Sequence, residues 1–270
     1  MVDHERVAAL LQAVAASEIM PRFRRLARHD VTEKAPGDVV TVADTAAERE
    51  LAAGLLAMLP GSVVVGEEAA ASDPGILGLL TGEAPVWVID PIDGTRNFAA
   101  GRTPFVSMVA LVERGRTIGG WIVDPVAKRT AIAVVARGAF LDAAALCLAP
   151  AAQSVSAWRG RFNPGKSGPR RRRSEAIRDR IGRHDLLTSA GATYVEVARG
   201  EIDFAIFQNQ LLKPWDHLAG ALLVTEAGGV AKAPGSGDPY ASTLEAGPLL
   251  VARSPTVWQE IADIYNQIMD

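Results

Sequence analysis

The chain has 270 residues, 49% of them apolar and 22% charged, proportions that exclude wholesale disorder and leave room for a large core. Its 28 basic against 31 acidic side chains, a net charge of −3, exclude an overall pull toward nucleic acid or an anionic membrane. One cysteine, Cys147, excludes an internal disulfide framework and any multi-cysteine metal site, and four scattered histidines show no ligand spacing.

Along the chain, Val7, Leu10, Leu11 and Val14 have helical spacing, and Met20-Pro21 breaks that helix before Phe23 and Leu26. The opening MVDHERVAALLQ is charged where a secretory leader needs an apolar stretch. No apolar run approaches ~18 residues. A cytoplasmic protein without a membrane span is therefore expected. Asp44 precedes AAERELAAGLLAML, whose Leu51, Leu55 and Leu59 share a face, and it reads as the N-cap. Pro60-Gly61 ends that helix. SVVVGEE reads as a buried strand running into Glu67 and Glu68, and residues 69–85 as a loop with a short helix at GILGLL. VWVID is a second buried strand, with Trp87 and Ile89 on one side. PFVSMVALVERGRTIGGWIVDP reads as a hairpin turning near Arg114-Gly115-Arg116, and RTAIAVVARGAFLD as a further pair turning near Gly138. The first half, to about residue 145, is thus helices stacked on a largely antiparallel sheet.

The second half, 146–270, changes character. Residues 159–183 carry a net charge of +8 and leave −11 for the rest. The run Arg170–Arg173 reads either as a lip attracting an anionic substrate or as a solvated loop before the helix EAIRDRIG, and the loop is preferred. DLLTS, ATYVEVARG, DFAIF and PWDHLAGALLVTEAGG then alternate strand, helix, strand, helix, which is α/β wiring. PLLVARS is a further strand. SPTVWQEIADIYNQIM is a last helix, with Val257, Ile261, Ile264 and Ile268 on one face. No internal repeat or low-complexity tail is visible. Cys147 reads as a small core residue and His217 as a surface or packing residue of its helix.

The chemistry lies in where the acids fall. Asp90 ends the VWVID strand, Asp93 follows three residues later, Glu67 and Glu68 end another strand, and Asp216 opens a helix. Each alone has a plain structural reading: Asp93-Gly94 a turn, Glu67-Glu68 a loop end, Asp216 and Asp44 helix caps. Converging, they could not all stay ionised without a cation. Carboxylate and carbonyl oxygens without thiolate or imidazole suit Mg2+, Mn2+ or Ca2+. Asp93-Gly94-Thr95 adds a turn whose N–H groups can face an anion. Acids for metals beside donors for an anion point to metal-assisted phosphoryl chemistry.

WVIDPIDGTRNF (87–98) and KPWDHLAGALLVTEAGG (213–229) resemble the two signatures of the inositol monophosphatase family, with GEE (66–68) and DVVTVAD (38–44) as ordered upstream blocks. The resemblance covers roughly residues 5–265 and is weakest between 145 and 185. It implies a single catalytic domain over 1–270, a layered α-β-α-β-α sandwich of the sugar-phosphatase type mixing α+β and α/β wiring, and a lithium-sensitive homodimer. It implies Mg2+ as cofactor, two ions or three per site, with Mn2+ a substitute. Glu67, Asp90 and the Ile92 carbonyl would hold the first ion, Asp90, Asp93 and Asp216 the second, and Glu67 would help with a third. Gly94 and Thr95 N–H groups would bind phosphate, while Thr95 and Asp44, with Glu67, would serve the attacking water. No covalent phospho-enzyme is implied.

The chain departs from the family where the alcohol binds. A Glu seven residues before the second-signature Asp, common in inositol-specific members, is Asn209 here, neutral and shorter. Another inositol-contacting block falls on Gly191, Ala192 and Thr193, with Thr for a usual Ala. The substrate is therefore a small phosphorylated metabolite, inositol 1-phosphate by default, with histidinol phosphate, fructose 1,6-bisphosphate and 3′-phosphoadenosine 5′-phosphate as alternatives. A regulatory RNA- or protein-binding member of the fold is the reading from another class, and the retained acids argue against it.

Overall fold

The computed structural model describes residues 2–35, 38–151, 154–164, 168–208, 211–235, 237, 240 and 245–267, and no helix among them is long and apolar enough to cross a membrane. Asp3 caps the first helix, α1 (His4–Val14), by accepting the N–H groups of Glu5 and Arg6. The helix widens into one π-type stretch, Ala15–Ile19, and gives way to turns around Pro21, where a further helical N–H is missing. A hairpin of β1 (Val31–Ala35) and β2 (Asp38–Thr41) follows, then α2 (Val42–Met58), which buries Leu51 and Leu55.

β3 (Val63–Gly66), α3 (Glu67–Ser72), a 3-10 turn at Pro74–Thr81, β4 (Val86–Asp93) and α4 (Thr95–Ala99) come next. β5 (Val106–Glu113), β6 (Arg116–Asp124), β7 (Arg129–Val134), β8 (Gly138–Leu141) and β9 (Ala144–Leu146) complete a seven-stranded sheet in the order β3-β4-β5-β6-β7-β8-β9. Only the β3–β4 pair is parallel, so the expected antiparallel meander is present. Every residue of β4 is buried, and its alternation divides the core. Trp87 and Ile89 join Val7, Leu11, Leu51 and Leu55 beneath α1 and α2, while Val86 and Val88 face the opposite layer.

The second half contributes β10 (Arg159–Phe162), α5 (Gly168–Arg178), β11 (Arg183–Asp185), α6 (Ala190–Ala198), β12 (Phe204–Phe207), β13 (Leu211–Leu212), α7 (Pro214–Glu226), β14 (Val230–Lys232), β15 (Glu245–Ala246), β16 (Leu249–Ala252) and α8 (Pro255–Asn266). A mixed five-stranded sheet runs β11-β10-β12-β16-β14. Its Ala205, Phe207, Leu249 and Val251 pack with α6 and α7. Phe204, Ile206 and Leu250 on its other face pack with Ile177 of α5 and with Val257, Ile261 and Ile264 of α8. The layers are therefore α1/α2, seven-stranded sheet, α6/α7, five-stranded sheet, α5/α8, the α-β-α-β-α sandwich.

Four local expectations need correction. Asp44 is not an N-cap: Thr41 caps α2, and Asp44 is the third residue of a reciprocal capping box, its carboxylate accepting the Thr41 N–H. The Arg170–Arg173 run is helical, not a loop. Pro169 suits a helix start, Arg is a good helix former, Arg171 pairs with Glu175 one turn on, and Arg173 lies over the Tyr265 ring. DLLTS is strand only at Asp185, because the Asn163 side chain takes both the N–H and the carbonyl of Leu187. Cys147 is exposed, since it follows an edge strand whose Ala144 and Ala145 are themselves exposed. Asn209 and Ile268 lie outside the described residues.

Candidate metal centre

An irregularity in β4 brings two of the acids together. Side chains three residues apart on a regular strand point to opposite faces. Against β5, Asp90 pairs with Met108 and Asp93 with Val106, so three steps on β4 oppose two on β5. The bulge at Pro91-Ile92 returns Asp93 to the face Asp90 occupies. That face is covered by α6 and α7, and α7 carries Asp216 in its first turn. One carboxylate oxygen from each of Asp90, Asp93 and Asp216 lies within 4.8 Å of the others.

Each acid is set by its own element. The first turn of α6 holds Asp93, which accepts from Ser189 Oγ at 2.5 Å and from the N–H groups of Ala190 and Gly191 at 3.1 and 2.7 Å. Glu67 opens α3, and Glu48 of α2 caps that helix by accepting the Glu68 and Ala69 N–H groups at 2.8 and 2.9 Å. Gly94 has φ +92°, and a Cβ there would lie 2.9 Å from the Pro104 carbonyl oxygen, so only glycine makes the step from β4 into α4. The first N–H groups of α4 have no intrahelical acceptor. Thr95 Oγ1 donates to the Ile92 carbonyl at 2.7 Å and lies 3.2 Å from Asp44 Oδ1.

One cavity of about 670 Å3 is walled by Glu67, Asp90, Ile92, Asp93, Gly94, Thr95 and Asp216 among others. Glu67 shares the cavity but stands outside the three-acid group, its carboxylate 3.4 Å from Lys34 Nζ and 4.0 Å from Lys213 Nζ. Gly191, Ala192 and Thr193 stand behind Asp93. The Gly191 N–H goes to Asp93, the Ala192 N–H to Ser189 Oγ, and the Thr193 hydroxyl to the Ser189 carbonyl.

The electrostatics call for a cation. Burial pushes the Asp90 pKa well up, and Glu67, Asp93 and Asp216 push it further. Asp216 is likewise well raised by burial and by Glu67 and Asp93, against the opposing Lys213 and a hydrogen bond with Asp90. Burial raises Asp93 to about 6 against its three hydrogen bonds. Burial also raises Asp44 to about 6 and, with Glu67, Glu68 to about 7. Burial works to lower the Lys34 pKa, but Glu67, Glu68 and Asp38 outweigh it and hold the ammonium charged. Lys34 thus compensates the Glu67 side, and Lys213 offsets only part of the charge at Asp216. Asp90 Oδ1 is buried without a hydrogen-bond partner. An all-oxygen donor set with an unpartnered carboxylate oxygen fits a hard divalent cation.

Sequence reasoning missed Glu48, Lys34, Lys213 and Ser189. Ser189 carried a signal, a serine directly before a helical run. The other three act across chain separations that no local pattern reports. His217 is buried and packed, as expected, but it also borders the cavity and bonds Tyr194 Oη through Nδ1 at 2.9 Å. Burial lowers its pKa to about 3, so the imidazole is neutral.

Residues 3–268 match the sequence profile of the inositol monophosphatase family. The chain is 34% identical over 231 residues to the Nus factor SuhB of Pseudomonas aeruginosa, covering 82% of each chain. It is 31% identical over 248 residues to an inositol-1-monophosphatase of Rhizobium meliloti, covering 89% of each. Among solved structures, an IMPase of Thermotoga maritima superposes with a TM-score of 0.81 at 26% identity, over 98% of this chain and 96% of that one.

Proposed function

The chain belongs to the inositol monophosphatase family and is a phosphomonoesterase, and we propose that it uses Mg2+ to release phosphate from a small phosphorylated alcohol. The observation that carries this reading is the trio of buried Asp90 and Asp93 with half-buried Asp216, within 4.8 Å of one another on the wall of one cavity that the start of α4 also lines. Glu67, Asp90 and the Ile92 carbonyl would hold one ion, and Asp90, Asp93 and Asp216 a second, with Glu67 available to a third. Bound there, the ions would lower the pKa of water and stabilise the leaving alkoxide.

The chain's own groups supply the rest. The Thr95 hydroxyl gives its proton to the Ile92 carbonyl or to Asp44 Oδ1, which leaves an Oγ1 lone pair to accept the proton of the attacking water. Asp44, raised to about 6, takes that proton on through Thr95 near neutral pH. The Gly94 and Thr95 N–H groups orient phosphate oxygens. Lys213 and Arg102, on the same cavity wall, add positive charge for the anion. Inositol 1-phosphate is the default substrate. Histidinol phosphate, fructose 1,6-bisphosphate and 3′-phosphoadenosine 5′-phosphate share the phosphate chemistry and differ in the alcohol. By the same reading the enzyme is a lithium-sensitive cytoplasmic homodimer.

Phosphate release from the purified protein, with Mg2+ or with a chelator, over these four esters tests the reading. Mg2+-dependent release from at least one is expected, and none from any refutes it. The alternative reading, a regulatory RNA-binding member of the fold, is favoured by the exposed basic face of α5, where Arg170 and Arg172 have no acidic partner among the described residues. RNA retention that falls steeply with salt and is lost on Arg170→Gln/Arg172→Gln would support that role.

A further inference from the structure

Asp93 and Asp216 sit on different elements, β4 and α7, and nothing in the ladder of the sheet sets the distance between them. α6 provides the link on the Asp93 side, because its first turn supplies all three of that residue's hydrogen bonds. Tyr194 lies one turn further along α6, fully buried, and its ring occupies a notch in α7. The notch is Gly220, where a Cβ would come within 2.1 Å of the Tyr194 ring. The Tyr194 hydroxyl then reaches His217 Nδ1 at 2.9 Å, and His217 is the residue next to Asp216. Two contacts, one steric and one polar, therefore lock α6 and α7 against sliding along each other.

We infer that the Tyr194–His217 pair is a positioning device that sets the spacing between Asp93 and Asp216 and so the affinity of the second cation site. The inference rests on the proposed phosphatase reading and deepens it. Hydrogen-bond counting assigns the shared proton. If Tyr194 donates to Nδ1, both of these atoms are satisfied and only the Nε2 proton of the ring is left without a partner. If Nδ1 donated instead, the buried phenol proton would have no acceptor among the described residues. The link is neutral, so it fixes geometry without placing a positive charge beside Asp216 that would compete with a cation. A bond of this kind, one residue removed from the ligands, matters because cation sites lose affinity when the groups orienting their ligands are cut.

Calorimetric titration of the metal-free protein with Mg2+, in the absence of substrate, tests this directly. Tyr194→Phe keeps the ring in the Gly220 notch and removes only the hydroxyl. It is expected to weaken Mg2+ binding about tenfold. Adding His217→Phe to it should cost little more, because one interaction cannot be lost twice. Thr225→Val removes another hydroxyl from α7, one bonded to the Ala221 carbonyl, and should leave Mg2+ affinity unchanged. Turnover by Tyr194→Phe should return to near the wild-type kcat at saturating Mg2+. Unchanged Mg2+ affinity in Tyr194→Phe, an equal loss in Thr225→Val, or fully additive losses in the double variant would overturn the inference. If the wild-type protein neither binds Mg2+ nor releases phosphate, the phosphatase reading itself fails and the inference falls with it.

Discussion

Asp90→Asn separates the role of the acid cluster in function from its effect on the fold. Two carboxylates 4.8 Å apart repel by about 3 kcal/mol at an effective dielectric constant near 20. Asp90 faces two such neighbours and is buried, with an unpartnered Oδ1. Protonation below the raised pKa relieves the same repulsion, so a neutral amide gains most at the alkaline end, about 2 kcal/mol. In a chain of this length that is about 4–8 °C in Tm. The pH dependence has a definite sign. Asp44, Asp90, Asp93 and Asp216 all have folded pKa values above their unfolded ones. The metal-free folded state therefore binds more protons than the unfolded chain, and its stability falls as pH rises. For Asp44 the rise from 3.8 to about 6 corresponds to about 3 kcal/mol lost between roughly pH 4 and pH 6. Thermal melts of chelator-treated wild type and Asp90→Asn from roughly pH 4 to pH 8, with and without Mg2+, read all of this, the two proteins being compared at the upper end of the range. The variant should melt higher than wild type without metal, lose the Mg2+-dependent rise in Tm, and show no turnover. A metal-free Tm below wild type together with an undiminished Mg2+ response would refute the reasoning.

Thr95→Val removes the hydroxyl shared between the Ile92 carbonyl and Asp44, and should lower kcat by about 100-fold with little change in KM; steady-state kinetics check it. Gly94→Ala must hold φ near +92° with its Cβ against the Pro104 carbonyl, and should destabilise the fold by about 2 kcal/mol or more in urea unfolding. Glu48→Ala deprives α3 of the acceptor for two N–H groups, and should cost about 1–3 kcal/mol. It should also weaken Mg2+ binding, because Glu67 begins that helix; calorimetry reads the second effect.

The meander was legible because its strands are apolar runs of strand length and its turns carry Gly at the right places, as at Arg114-Gly115. Asp93 and Asp216 were legible as acids at element ends, whereas Asp90 does not end its strand, because β4 runs on through it to Asp93. What local patterns could not report was how they converge. The bulge at Pro91-Ile92 decides which face Asp93 takes, and it is visible only in the pairing with Val106 and Met108. Asp44 was misread because Thr41, three residues earlier, is an equally good cap and the capping box needs both. Arg170–Arg173 looked like a loop because four like charges repel, yet Glu175 and the Tyr265 ring supply partners on neighbouring turns and on α8. Glu48, Lys34 and Lys213 reach the site from α2, β1 and the start of α7, separations at which side chains meet only after folding.

The most direct test of the central claim is Mg2+-dependent phosphate release measured side by side for wild type and Asp93→Asn. Both Asp93 oxygens accept backbone N–H groups of α6, so the amide gives up one of these hydrogen bonds, and removes one like charge from the cluster, while weakening the second cation site. Release by wild type that requires Mg2+ is expected, with a fall of about 100-fold or more in the variant under conditions where its melt shows it folded. Near-normal turnover by Asp93→Asn, or wild-type turnover indifferent to Mg2+, would contradict it.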